Sequence, residues 1–159
     1  MKTLLSLTIL LLTIPFTLAD EPASAVDTET QAKLDKLHSG VQGICPVSGE
    51  KLGSHGQPIK VAIGEKKEQV FLCCEACKTG KLKAEHWGTI HKNIKNAQSA
   101  CPVMGKPLPE KPGFTILNGT VVYVCCPPCV DKINAEPTKF LTKVNASYEK
   151  HMAAKSVPQ

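Results

Sequence analysis

Residues 45–49 read Cys-Pro-Val-Ser-Gly, and after an apolar stretch residues 73–77 read Cys-Cys-Glu-Ala-Cys. The same order returns as Cys-Pro-Val-Met-Gly at 101–105 and Cys-Cys-Pro-Pro-Cys at 125–129. All the cysteines of the chain lie in these two copies, four in each. A cysteine pattern repeated in order predicts two equivalent sites, most simply two thiolate metal sites. The candidate metal ligands are Cys45, Cys73, Cys74, Cys77, Cys101, Cys125, Cys126 and Cys129.

The residues around the cysteines predict an α+β fold in which each copy has a cysteine turn, a β-hairpin and helical segments. In the first copy, residues 43–97, we expect a turn at 45–49 and strands at 59–63 and 70–72. A helix is expected at 75–84 and a second helix at 87–94. In the second copy, residues 98–153, we expect a turn at 101–105 and strands at 114–116 and 121–124. A helix is expected from 127 onward and a final helix at 140–148. The linker between the copies is predicted at 95–100, and a short tail at 154–159.

The two hairpins differ in length without disturbing the cysteines. There are 27 residues between Cys45 and Cys73, and 23 between Cys101 and Cys125. Asn118-Gly119 is a strong signal for a two-residue hairpin turn in the second copy. A change of length within a hairpin loop leaves its ends, and therefore the flanking cysteines, in place.

Ahead of the first copy, residues 20–42 are expected to form a flexible segment and then a short lead-in helix. The helix is predicted from Thr28 to Val41, because Leu34, Leu37 and Val41 recur on one face. We interpret it as structural, with no part in the chemistry.

The first residues have the pattern of a secretory signal peptide. Lys2 supplies a positive charge, Leu4 to Leu18 is almost continuously apolar, and the small residue Ala19 favours cleavage after it, so the signal peptide spans 1–19. Cleavage after Ala25 is the alternative. An uncleaved membrane anchor is less favoured, since about fifteen apolar residues is short of the about twenty that a span needs. The prediction is a periplasmic or secreted protein with no stable membrane anchor after cleavage.

Composition also limits the function. Each copy has only about 50–55 residues, a size at which a hydrophobic core is marginal and a metal or disulfides must add stability. Aromatic residues make up 4% of the chain, so the core is poor in large side chains. The net charge is +5, but the lysines are scattered and arginine is absent, which argues against nucleic acid as a partner.

A cysteine turn before a hairpin and a cysteine cluster at the head of a helix are expected to converge. The positive end of the helix favours thiolates, and thiolates select zinc, copper(I) and other soft metals, here one ion per copy. Either one cysteine of each adjacent pair binds or both contribute. Met104 is either a copper(I) ligand or a flexible core filler. Among the histidines, His55, His86 and His91 could complete the first site, although His91 lies on a lysine-rich helix and is more simply interpreted as exposed.

Both copies resemble the YHS and TRASH families of small metal-binding domains. The shared features are Cys-Pro-Val-x-Gly, a hairpin that leads into Cys-Cys-x-x-Cys and, in the second copy, the Glu-Pro-Thr-Lys-Phe-Leu stretch at 136–141. The resemblance implies treble-clef-like domains and a role in heavy-metal sensing, trafficking or resistance. The TRASH pattern of one cysteine followed by C-x3-C falls on Cys45, Cys73 and Cys77, and on Cys101, Cys125 and Cys129.

The chain departs from the YHS pattern in two ways. Many members have Asp-Pro-Val-Cys-Gly-Met, whereas Ser48 and Met104 stand here at the cysteine position and a cysteine stands at the aspartate position. The resemblance therefore does not identify the fourth metal ligand in this chain. The first copy also lacks the Pro-x-Lys-Phe-Leu tail and has Glu-His-Trp-Gly at 85–88 instead.

Two other functional classes compete with metal binding. Eight cysteines in an exported chain could form four disulfides and give a stapled extracellular interaction module, although adjacent cysteines pair poorly with each other. The Cys-x-x-Cys pairs could instead serve a thiol–disulfide oxidoreductase. No hydrolase triad, paired catalytic carboxylates or phosphate loop is recognisable. The sequence thus favours a non-enzymatic, exported protein that binds metal ions. The ion is either structural zinc in a module whose surface binds a partner, or a zinc or copper(I) cargo that is sequestered or delivered, with a metal-transport or other exported protein as the partner.

Overall fold

The computed structural model describes residues 28–156, so residues 1–27 and 157–159 lie outside the described residues, including the predicted signal peptide at 1–19 and the predicted flexible segment at 20–26. Over the described range the chain is a mixed α+β protein, which confirms the predicted fold class. The elements are α1 (Thr28–Gln42), β1 (Ile59–Ile63), β2 (Glu68–Leu72), a 3-10 helix (Glu75–Thr79), α2 (Ala84–Gln98), β3 (Gly113–Leu117), β4 (Thr120–Val124), α3 (Pro128–Ala135) and α4 (Pro137–Ser156). Across residues 28–156, every helix is too short or too polar to span a membrane.

Each copy opens with the same hydrogen-bonded loop around its first cysteine, which we call the cysteine turn (residues 43–52 and 99–108). In the first copy the Cys45 N–H donates to the Glu50 carbonyl over 2.8 Å, and the Gly49 N–H donates to the Cys45 carbonyl over 2.9 Å. The second copy repeats both bonds, at 2.9 and 2.8 Å. Gly49 has a φ of +80°, and its counterpart has +68°. Glycine adopts this left-handed backbone without the steric cost that a side chain would add.

The two hairpins are regular antiparallel pairs. In the first, Ile59 pairs with Leu72, and in the second Gly113 pairs with Val124. The turn of the second hairpin is Asn118-Gly119, with φ angles of +49° and +82°. Two positive φ values are what a type I′ turn requires, so the turn predicted from this dipeptide is confirmed. Each second strand runs directly into the adjacent cysteine pair.

The helix predicted over 75–84 is wrong beyond Thr79. The chain leaves the 3-10 helix at Gly80, whose backbone is extended (φ −80°, ψ 156°). A Cβ added at Gly80 would lie within 2.4 Å of a Val47 side-chain carbon. Further along, the Lys83 N–H donates to the Pro46 carbonyl over 3.0 Å. The segment is therefore held against the cysteine turn, and that contact replaces the helical hydrogen bonds.

The linker predicted at 95–100 is also wrong for most of its length, because α2 continues through Gln98. This helix follows the cysteines of the first copy and ends three residues before Cys101. The predicted lead-in helix is confirmed, and it ends at the corresponding distance before Cys45. Each cysteine turn is thus preceded by a fifteen-residue helix, and α2 serves both copies.

The larger cluster of buried side chains draws on both copies. It combines Val41 from α1 and Ala97 from α2 with Val122 from β4, Ile133 from α3 and Val144 from α4. The final helix predicted at 140–148 is confirmed as part of α4, and its aromatic residues Phe140 and Tyr148 are also buried in this cluster. The other cluster, in the first copy, consists of Leu72 and three cysteines, with a few half-buried apolar neighbours. The first copy also buries Val70, Phe71 and Ile90, which lie outside both clusters.

The copies meet where β2 approaches the second hairpin. The Gln69 N–H donates to the Gly119 carbonyl over 2.8 Å. Nearby, His91 lies with Nε2 at 3.4 Å from Glu68 and Nδ1 at 2.7 Å from the Tyr123 hydroxyl. Its side chain is only 19% exposed, so the expectation of an exposed His91 is wrong. Burial, followed by the charge of Glu68, raises the pKa of Tyr123 to about 12, so this tyrosine stays protonated at the interface.

We expect Gly119→Ala to destabilise the protein by about 2–3 kcal/mol. A left-handed backbone costs about 1–2 kcal/mol for a residue with a Cβ, and the added Cβ would lie 2.4 Å from the Gln69 Cγ. Gly53→Ala is the matched control, because Gly53 has a φ of +88° but open space around the added Cβ. Urea denaturation measures both variants. Equal losses of stability would contradict the expected clash and show that the Gln69 side chain moves aside at no cost.

Candidate metal centre

The cysteine turn, the end of β2 and the 3-10 helix bring the cysteines of the first copy together. The Sγ atoms of Cys45, Cys73 and Cys77 all lie within 4.8 Å of one another. Between the last two the distance is 3.6 Å. The Cys74 sulfur extends this triad, at 3.8 Å from Cys73 and 3.7 Å from Cys77. The first copy therefore holds four sulfurs in one group.

The second copy repeats the arrangement with α3 in place of the 3-10 helix. The Sγ atoms of Cys101, Cys125 and Cys129 also lie within 4.8 Å of one another. The sulfurs of Cys125 and Cys129 are 3.8 Å apart. Cys126 again extends the triad, at 3.7 Å from Cys125 and 3.2 Å from Cys129. The predicted start of this helix at the two prolines is confirmed, and it places the last cysteine in the first turn.

The sulfur spacing fits a shared metal ion. With zinc–sulfur bonds of about 2.3 Å, the sulfurs of a tetrahedral site lie about 3.8 Å apart. Within the two groups, the contacting sulfurs are 3.2 to 3.8 Å apart. A disulfide requires about 2.05 Å, and all eight cysteines are free thiols. A triad of thiolates, with a fourth sulfur in contact with two of its members, has the chemistry of a soft-metal site.

Backbone amides favour a thiolate at the first cysteine of each copy. Burial opposes ionisation of Cys45, but N–H groups of Ser48 and Cys73, together with the Ser48 hydroxyl, lower its pKa to about 6. In the second copy burial again opposes ionisation, but the amides of Cys125, Met104 and Val103, with the Cys125 thiol, lower the pKa of Cys101. In the first copy the cysteine turn therefore presents one ionised sulfur to the group near neutral pH.

The pKa of the last cysteine of each copy is shifted in the opposite direction, towards the protonated thiol. Burial, together with hydrogen bonds among the neighbouring thiols, raises the pKa of Cys77 to about 12 and also raises the pKa of Cys129. Like charges oppose each other when sulfurs are in contact, so the four thiols do not all ionise unaided. A bound cation reverses this balance and releases the protons. Metal binding at these groups is therefore expected to weaken as the pH falls.

All eight predicted cysteines belong to the two groups, and the histidines do not. His55 lies 3.9 Å from Glu50 on the surface, His86 packs on the backbone of Gly49, and His91 belongs to the interface described above. Within residues 28–156, the clusters able to hold a metal contain cysteine alone. Met104 is 49% exposed, so its interpretation as a core filler is wrong.

Two residues that position the sites were missed by the sequence analysis. Gln98 is 1% exposed, and its side chain donates to the carbonyls of Ala100 and Tyr123 and accepts from the Tyr123 N–H, over 2.7 to 2.9 Å. Gln42 makes the equivalent bonds to Ile44 and Phe71 in the first copy. Each glutamine thus ties the cysteine turn to the strand that carries the next cysteines. A glutamine three residues before the first cysteine of both copies was the available signal.

Comparison with known proteins identifies no relative. Neither a protein-family model, nor a curated protein, nor a solved structure matches this chain. The YHS and TRASH resemblance therefore stays a prediction. What supports a function is the geometry of the two cysteine groups.

Proposed function

We propose that this is an exported metal-binding protein that holds one zinc or copper(I) ion in each copy. The observation that carries the proposal is the convergence in each copy of three sulfurs within 4.8 Å of one another, with a fourth cysteine sulfur 3.2 to 3.8 Å from two of them. Cys45, Cys73, Cys74 and Cys77 would bind the first ion. Cys101, Cys125, Cys126 and Cys129 would bind the second.

Zinc is the metal that the donor set favours. Groups of four thiolates at tetrahedral spacing are typical of zinc and of iron–sulfur sites, while copper(I) is selected by soft ligands in general. A site closed by four protein ligands leaves no open position for a substrate, as in structural rather than catalytic zinc sites. A role in binding, storing or delivering metal is therefore better supported than an enzymatic role.

The small core of the first copy supports a metal that also stabilises the fold. Its buried cluster consists of Leu72 with Cys45, Cys73 and Cys77. Val70, Phe71 and Ile90 are buried besides this cluster, and each fully buried aliphatic side chain contributes about 1.5–3 kcal/mol. Zinc binding contributes about 10–16 kcal/mol in small structural sites. The ion would thus add substantially to the stability that this small core supplies.

Export and a role in heavy-metal handling are supported by sequence alone. The apolar run at 4–18 followed by Ala19 favours secretion. Thiols in an oxidising compartment are open to disulfide formation, and prompt metal loading protects them. The partner would be a metal-transport protein or another exported protein that exchanges the ion.

One observation favours a thiol–disulfide oxidoreductase as a second candidate. Cys74 and Cys126 are half-buried, stand at the head of a helical segment, and have pKa values lowered by hydrogen bonds from Cys77 and Cys129. A partly exposed thiol of low pKa is the nucleophile in Cys-x-x-Cys enzymes. Further sulfurs in contact with each pair favour the metal site instead. Catalysis of insulin reduction by the metal-free protein would support this candidate.

Native mass spectrometry of the mature protein from its exported compartment tests the proposal. We expect two metal ions per chain, eight thiols that react after chelation, and loss of both ions to a strong chelator. The mass shift identifies the metal. A metal-free protein with a mass lower by about eight hydrogens would show four disulfides, and would replace metal binding by the stapled interaction module.

A further inference from the structure

We infer that the two metal sites are not equivalent: the first copy retains its ion, and the second exchanges it. This inference rests on the proposed function. The two cysteine groups have nearly the same sulfur geometry, but the residues that surround them differ between the copies. The difference begins at the third residue after the first cysteine, which is Ser48 in one copy and Met104 in the other.

Ser48 donates a hydrogen bond to a sulfur of the first site. Its Oγ accepts from the Glu50 N–H over 3.2 Å and lies 3.3 Å from the Cys73 sulfur. A metal-bound thiolate has no hydrogen to donate, so in the loaded site the Ser48 hydroxyl is the donor. Hydrogen bonds to a charged acceptor are stronger than those between neutral groups. The contact therefore holds the Cys73 sulfur in the arrangement that binds the ion.

The segment between the 3-10 helix and α2 covers the first site. Gly80 packs on Val47, with only 2.4 Å between an added Cβ and a side-chain carbon. At the start of α2, the His86 ring lies over Gly49, whose added Cβ would be 2.6 Å from Nε2. The cysteine turn is thus enclosed from two sides. Cys45, Cys73 and Cys77 are all buried, at 8% exposure or less.

The second site is open at the same places. No atom lies within 4 Å of a Cβ added at Gly105, the counterpart of Gly49. Met104 is 49% exposed and forms one side of a cavity of about 390 Å³, which Cys101 also lines. Cys125 is only half-buried, whereas its counterpart Cys73 is 4% exposed.

These differences have a consequence for metal exchange. Transfer of a thiolate-bound ion proceeds through attack by an incoming ligand, which needs access to the site. In the second copy the half-buried Cys125 and the uncovered turn at Gly105 give that access, while Cys101 and Cys129 stay buried. In the first copy the covered turn hinders an incoming ligand. We therefore expect the acceptor to approach the second copy at Cys125.

The experiment follows metal release from the doubly loaded full chain after a large excess of a chromogenic chelator is added. We expect two phases, each of one metal equivalent, with rates that differ at least tenfold. Alkylation with N-ethylmaleimide during release, followed by peptide mass spectrometry, assigns the phases. The cysteines at 101–129 should be labelled in the fast phase and those at 45–77 in the slow phase. Equal rates, or faster labelling of 45–77, would overturn the inference.

Two variants test the residues that we hold responsible. We expect Ser48→Ala to accelerate the slow phase about tenfold, because a hydrogen bond to a charged group is worth about 1.5 kcal/mol or more. His86→Ala should accelerate it too, by uncovering the turn. Ser54→Ala is the matched control, since this exposed hydroxyl only donates to the Lys51 carbonyl. An unchanged slow phase in Ser48→Ala would overturn the role of that serine.

The outcomes separate this inference from the proposed function. A chain that binds no metal before the chelator is added contradicts the proposed function itself. A chain that binds two ions and releases both at one rate leaves the proposed function intact and contradicts only the inequivalence. Because the labelling order is measured on the unaltered protein, the result does not depend on whether a variant folds.

Discussion

Replacing Cys125 and Cys129 together by serine should abolish metal binding in the second copy and unfold the helical core. Cys129 is 2% exposed and belongs to the larger buried cluster with Ile133 and Val144. Structural zinc contributes about 10–16 kcal/mol, which is as much as the whole stability of a typical domain, about 5–15 kcal/mol. The variant should bind one ion instead of two.

Hydrogen exchange resolved by peptide locates the damage. In the Cys125/Cys129 variant we expect protection to be lost from the second hairpin and from α1, α2 and α4, which pack together in the larger cluster, while the hairpin at 59–72 retains part of its protection through the first ion. The matched control replaces Cys73 and Cys77, and should remove protection mainly from that first hairpin. Equal loss of metal and of protection throughout both variants would contradict two independent sites.

Replacing Gln98 by alanine should cost about 4 kcal/mol of unfolding free energy. Its amide satisfies both the N–H and the carbonyl of Tyr123 and also the carbonyl of Ala100. A buried polar group that loses its partner costs about 1–3 kcal/mol, and Tyr123 would lose two partners at once. The second cysteine turn would also lose its tie to β4, so we expect weaker metal binding in the second copy.

Chemical denaturation of the metal-loaded protein measures the loss, and Gln57→Ala is the control because Gln57 is exposed. Gln42→Ala should destabilise the first hairpin, since Gln42 bonds Phe71 in the same way. A loss of less than about 1 kcal/mol for Gln98→Ala would show that water replaces the amide at Tyr123.

Several local features could be predicted because their causes lie in adjacent residues. Asn118-Gly119 specifies a type I′ turn through two positive φ angles, and the structure has that turn. Pro128 begins α3, where a missing N–H costs nothing. The repeated cysteine pattern predicted two groups of sulfurs, and both triads converge.

Other features depended on contacts between residues distant in sequence. Gly80 to Lys83 leaves the helix because the segment packs on Val47 and Pro46. His91 stands among lysines along the chain, yet the interface between the copies buries it beside Tyr123. The hydrophobic periodicity of a segment does not predict these contacts, because the contacting residues come from another part of the chain.

The repeating unit could be inferred from the residues alone: a glycine-containing cysteine turn, a hairpin with the next cysteines at its end, and one such set per copy. These follow from backbone preferences and spacing, which act over a few residues. Packing between distant segments makes α2 serve both copies, lets Gln42 and Gln98 fasten each turn to its hairpin, and covers Gly49 while leaving Gly105 uncovered. Those outcomes depend on which surfaces are buried against each other, and burial is a property of the packed chain as a whole.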